Sequence, residues 1–70
     1  MAENHVYSVS EIVGSSETSV ENAIQTAIDK MTETKRNVRW FEVLSVRGHV
    51  QDGRIGHYQV ALKAGFTLDE

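Results

Sequence analysis

Trp40 is the only indole in the chain, and Gln59, nineteen residues later, is an uncharged amide. An indole offers a flat π surface on which a planar heterocycle can stack. An amide carries both a donor and an acceptor, enough to read the edge of such a ring. Other chemistry is poorly supplied. Cysteine is absent, no serine stands in G-x-S-x-G, and Gly14-Ser15-Ser16 reads as a loop between elements. His5, His49 and His57 are the only imidazoles, and no H-E-x-x-H or comparable ligand spacing accompanies them. No glycine-rich phosphate loop is present, and the paired carboxylates, Glu17 with Glu21 and Asp69 with Glu70, read as solvated charge. The inventory favours binding over catalysis, with interface packing of Trp40 as the plain alternative to ligand stacking.

Seventy residues allow one domain, 1–70, and no second. Without cysteine there is no disulfide or cysteine-zinc staple. At this size a single core rarely supplies more than about 3–5 kcal/mol, so oligomerisation is the leading source of the missing stability. The net charge of −3 lacks the basic face on which nucleic-acid binding rests. The opening M-A-E-N-H-V-Y has neither a basic nor an apolar leader segment, and no window approaches the roughly 18 apolar residues of a membrane span. The expectation is a soluble cytoplasmic protein with neither nucleic acid nor membrane as partner.

The elements that must position these residues are legible. Residues 6–13 are rich in β-branched and aromatic types and stop at Gly14, which predicts a first strand. Thr18 and Glu21 have capping-box spacing, and Val20, Ala23, Ile24, Ala27, Ile28 and Met31 then form one apolar stripe of an amphipathic helix of about 15 residues. Lys35, Arg36 and Arg39 complement the negative end of that helix, and Asn37 suits a left-handed cap.

Two extended runs fill the rest, Val38 to Gln51 and Arg54 to Leu68, separated by Asp52-Gly53. A two-residue Asp-Gly loop favours a type I′ hairpin turn with Gln51 opposite Arg54. Propagated without interruption, that register sets Arg47 against Tyr58, Val46 against Gln59, Glu42 against Lys63 and Trp40 against Gly65. It also sets His49 against Gly56 and His57 against Gly48, on different faces, which disfavours an intrachain zinc site. Opposed residues share a face. Phe41, Val43, Ser45, Val60, Leu62, Ala64 and Phe66 therefore form the seat for the helix, with Arg47, His49 and Tyr58 on the same face towards the turn. Trp40, Leu44, Val46, Val50, Ile55, Gln59 and Ala61 lie on the other face, which no second helix covers. A β-α-β-β protomer that self-associates through its sheet follows. Antiparallel chain directions place the third strand between the first and second.

The strings Arg39-Trp40-Phe41-Glu42-Val43, Val46-Arg47-Gly48-His49-Val50, Gly56-His57-Tyr58-Gln59-Val60 and Lys63-Ala64-Gly65-Phe66 resemble the dodecin family over nearly the whole chain. The resemblance implies an α+β fold: a three-stranded antiparallel sheet wrapped around one helix, with twelve copies assembling into a hollow shell. It implies non-catalytic binding of FMN or riboflavin for storage and buffering. Flavins would be sandwiched by Trp40, with Gln59 beside the ring and Arg47 near the phosphate or other anionic groups. The indole would quench flavin photochemistry. A structural oligomer, or a carrier of another planar or anionic ligand such as coenzyme A, is the alternative. Thr67 departs from the pattern, G-F-T-L where many members have G-F-R-L, and shifts the expectation towards riboflavin or a weaker FMN site. Trp40 and Gln59 are offset by about six residues, roughly 20 Å along a strand, so those touching one ring should come from different protomers.

Overall fold

The computed structural model describes residues 4–68; the carboxylate pair Asp69-Glu70 lies outside them. The elements run β1 (Tyr7–Ser16), α1 (Val20–Thr32), β2 (Val38–Gln51) and β3 (Arg54–Thr67). All strand pairs are antiparallel and the sheet order is β1-β3-β2, so the third strand is central as chain direction requires.

The hairpin turn takes the form that Asp-Gly demands. Asp52 and Gly53 have φ of 55° and 74°, both positive as type I′ requires, and Gln51 faces Arg54. β1 does not stop at Gly14 but continues to Ser16. Gly14 is there because the helix crosses over it: a Cβ at this position would lie 2.1 Å from the Ala23 carbonyl oxygen. Burial of that glycine is a packing requirement, not a turn.

The helix starts one residue later than capping-box spacing suggests. Ser19, in extended conformation, is the N-cap and its hydroxyl accepts from the Asn22 N–H at 2.9 Å. Thr18 instead joins a small network on the buried Ser16 hydroxyl, which accepts from the Thr18 N–H at 2.9 Å and donates to the Asn22 side-chain oxygen at 2.7 Å. α1 has 13 residues and ends at Thr32 with Glu33, in right-handed conformation, as C-cap. Asn37 does adopt the left-handed conformation, φ 61°, but it turns the chain into β2 instead of closing the helix.

Ala23, Ala27 and Met31 are buried, and Val20, Ile24 and Ile28 are partly buried against Val60 and Leu62 of β3 and Ile12 of β1. The stripe is the predicted one; its seat is narrower than predicted. α1 packs on β1 and β3, and β2 lies outside its footprint. Every residue of β2 after Val38 is exposed in the single protomer, including Phe41 and Val43, which the uniform register assigned to the helix seat.

β2 and β3 do not keep one register. Trp40↔Gly65, Phe41↔Ala64, Glu42↔Lys63 and Val43↔Leu62 match the turn-derived pairing. Between Val43 and Ser45 the register then slips, leaving Leu44 as the extra residue of a β-bulge, so that Val46 meets Val60 and Arg47 meets Gln59. A second irregularity between His49 and Val50 absorbs Gly56 and restores the turn pairing. In the stretch between the two bulges every β2 side chain is on the opposite face from the one expected. Val46 moves to the helix side, and Arg47 and His49 move to the uncovered side.

Candidate functional site

With directly opposed residues on one face, the uncovered side of the sheet reads as a series of rows across β1, β3 and β2. Val9, Gly65 and Trp40 form one, followed by Glu11, Lys63 and Glu42, then Val13, Ala61 and Ser45, and then Ser15, Gln59 and Arg47. His57 and His49 make a last pair beyond the end of β1. One end of the face is aromatic, the other polar and cationic, and the Glu42–Lys63 ion pair, 3.8 Å, lies between them.

At the aromatic end the absence of a side chain on Gly65 decides the geometry. A Cβ there would meet Trp40 Cε2 and Cζ2, each 2.2 Å away, and Nε1 at 2.7 Å, so the indole lies over the glycine and against the sheet. Tyr7, from β1, meets the indole edge-on with ring centroids 6.0 Å apart and planes at 66°. That leaves Trp40 37% exposed, a braced aromatic platform able to receive a second ring. Tyr7 was not singled out from sequence, because no tight turn joins β1 to β3 and so nothing local sets their register. Alternation along β1 was the available signal, since it places Tyr7, Val9 and Val13 on one side.

At the polar end, Gln59 is half-buried, flanked by Ser15 and Arg47. The bulge at Leu44 resolves the awkward expectation that Arg47 points to the helix side: it stands directly opposite Gln59, on the face that Trp40 shares. His49 and His57, assigned to opposite faces by the uniform register, are paired and stacked with centroids 5.3 Å apart and planes at 19°. Among the described residues no group of three or more His, Cys, Asp or Glu is placed to hold a metal ion, and no helix is long and apolar enough to cross a membrane.

The structure thus brings Arg47 and Gln59 together, and leaves Trp40 apart from both. Gly65, beneath the indole, is six residues from Gln59 on β3, roughly 20 Å at the strand rise. Thr67 belongs to the Trp40 end, opposite Tyr7.

A family model described as Dodecin matches residues 6–69. The Dodecin of Thermus thermophilus is 43% identical over 65 residues, 93% of this chain and 94% of its own. Among solved structures, the dodecin from Streptomyces davaonensis superposes with a TM-score of 0.90 at 48% identity, covering 97% of this chain and all of its own. The dodecin from Streptomyces coelicolor gives 0.90 at 45% identity over 99% of each chain.

Proposed function

Because the chain belongs to the dodecin family, we propose that it binds FMN or riboflavin without turnover, as a store and buffer, in a homododecamer. The observation that carries the reading is the Trp40 platform: an indole fixed over Gly65, braced by Tyr7 and left accessible. Aromatic rings favour offset stacking at such a surface. The donor set fits the rest of a flavin, since the Gln59 amide can pair with a ring edge and the Arg47 guanidinium beside it with a phosphate.

One protomer supplies half of this site. Trp40 and Gln59 are about 20 Å apart along the sheet, longer than the ring they would share, so a ring stacked on Trp40 of one copy meets Gln59 and Arg47 of another. Bound flavin would supply a planar, photoexcitable redox ring; Trp40 holds that ring against an electron-rich π surface and thereby quenches its excited state. Both faces of such a ring are occupied by stacking, which leaves no room for a reacting substrate.

Titration of riboflavin and FMN with purified protein, followed by flavin fluorescence, tests the reading. Strong quenching is expected, lost in Trp40→Ala while the size of the assembly by sedimentation stays the same. A protein that quenches neither flavin is a structural oligomer or a carrier of a different ligand.

A further inference from the structure

Tyr7 and Trp40 meet at the aromatic end of the uncovered face. Val9, Gly65 and Trp40 form one row of the ladder, and Tyr7 stands in the next, opposite Thr67, so the phenol reaches the indole across β3. Ring centroids 6.0 Å apart with planes at 66° put the two in edge contact. Both rings also reach the surface of the protomer, Tyr7 43% and Trp40 37% exposed.

Indole and phenol are the side chains most readily oxidised by one electron where thiols are missing, and the chain has no cysteine. Met31 is buried under the helix. The other phenol, Tyr58, lies on the helix side of β3, seven residues from Gly65 and roughly 23 Å away at the strand rise. Within the described residues of one protomer, the phenol in contact with Trp40 is therefore Tyr7.

We propose that Tyr7 is the electron donor that repairs Trp40 after one-electron oxidation, carrying the oxidising equivalent to the surface of the sheet. Oxidation removes one electron from the indole, and its N–H proton goes to water. Tyr7 then gives one electron to the indolyl radical, its O–H proton passes to water, and a proton from water returns to Nε1. An intact indole and a neutral phenoxyl radical result, the phenoxyl being the more stable of the two radicals at neutral pH. A soluble thiol closes the cycle by giving a hydrogen atom to the phenoxyl oxygen, and two thiyl radicals so formed pair as a disulfide. The oxidant is a photoexcited flavin stacked on Trp40 where the flavin reading above holds, and only this source rests on it; a diffusible one-electron oxidant needs the same repair. An electron that returns from a stacked ring makes repair unnecessary. Once that electron has passed to dioxygen it cannot return, and an unrepaired indolyl radical adds oxygen and loses the flat surface that stacks.

The experiment oxidises Trp40 in flavin-free protein with pulse-generated azide radicals and follows both radicals by transient absorption. The tryptophanyl signal should decay as a tyrosyl signal grows, at a rate independent of protein concentration. Tyr7→Phe keeps the ring that braces the indole and should abolish the tyrosyl growth, leaving a longer-lived tryptophanyl radical. In Tyr58→Phe, where Tyr7 is the remaining tyrosine, the transfer should persist. No transfer in the native protein overturns the proposal, as does transfer lost in Tyr58→Phe or retained in Tyr7→Phe. A second arm illuminates the riboflavin-loaded protein in air with a soluble thiol and counts oxygen added at Trp40 by mass spectrometry. Faster loss of intact Trp40 in Tyr7→Phe supports repair, and equal loss in both proteins overturns it. Failure of riboflavin to bind removes the flavin reading and leaves the azide-radical result to decide the proposal.

Discussion

Gly65 decides how Trp40 can be used. A side chain at 65 would occupy the space of the indole's five- and six-membered rings, so Gly65→Ala must push the ring off the sheet. The indole is a partly exposed group that can swing on its χ1 bond, so the cost in folding is smaller than for a collision with backbone. A loss within the 1–3 kcal/mol typical of overpacking, towards its lower end, is expected by denaturant titration. Tryptophan emission should shift to the red and flavin quenching fall with it. Unchanged emission would show that the indole does not rest on residue 65. Thr67→Arg makes the complementary change at the same end: it adds a cation next to Trp40, opposite Tyr7. If phosphate recognition were limited by a missing cation there, FMN affinity should rise several-fold relative to riboflavin, and equal effects on both would place the phosphate elsewhere.

At the scale of elements, the contrast is with Gly14. Here the atom in the way is the Ala23 carbonyl oxygen, with the Ala27 Cβ behind it at 2.9 Å, and neither can rotate aside. Gly14→Ala should cost about 1–3 kcal/mol or more by lifting α1 from β1, visible as a lower unfolding midpoint; a neutral result would mean that the helix does not sit on that strand. The sequence disclosed the features that are encoded locally. Asp52-Gly53 needs positive φ twice and so names its own turn, and the helix stripe repeats at 3.6 residues, so both the hairpin and the buried helix face were legible. Leu44 and Gly56 carry no such code. A bulge forms where twist and packing of the whole sheet require it, and one uncounted residue reverses the face of everything until the next bulge. Counted from the turn, Trp40↔Gly65 lies beyond both slips, where they cancel, and was read correctly, whereas Arg47 and the histidine pair lie between them and were not. β1 hid its register for a different reason, since α1 and the whole of β2 separate it from β3, its partner in the sheet.

The whole molecule is too open for its mass. Its accessible surface is 5190 Å², against about 4,400 Å² for a compact 7.8 kDa monomer, and its radius of gyration is 14.5 Å where about 11 Å is usual for 70 residues. The excess of about 800 Å² equals one partner's share of a standard interface. Much of the exposed apolar surface is on β2, where Phe41 and Val46, 49% and 52% exposed, lie on the helix side beyond the reach of α1, while Trp40 lies on the other. Covering these side chains by a second copy is worth up to about 1.5–3 kcal/mol each, comparable with the total that so small a core provides. Assembly and folding should then be one equilibrium. The unfolding midpoint of the native protein should rise with protein concentration, because association stabilises by mass action. Phe41→Asp/Val46→Asp should abolish the assembly in sedimentation and yield a chain that is largely unfolded by circular dichroism at 25 °C, since charges placed on that face oppose any partner. If instead this variant sediments as a well-folded monomer, the sheet supports itself, and the apolar face of β2 serves association without being needed for the fold.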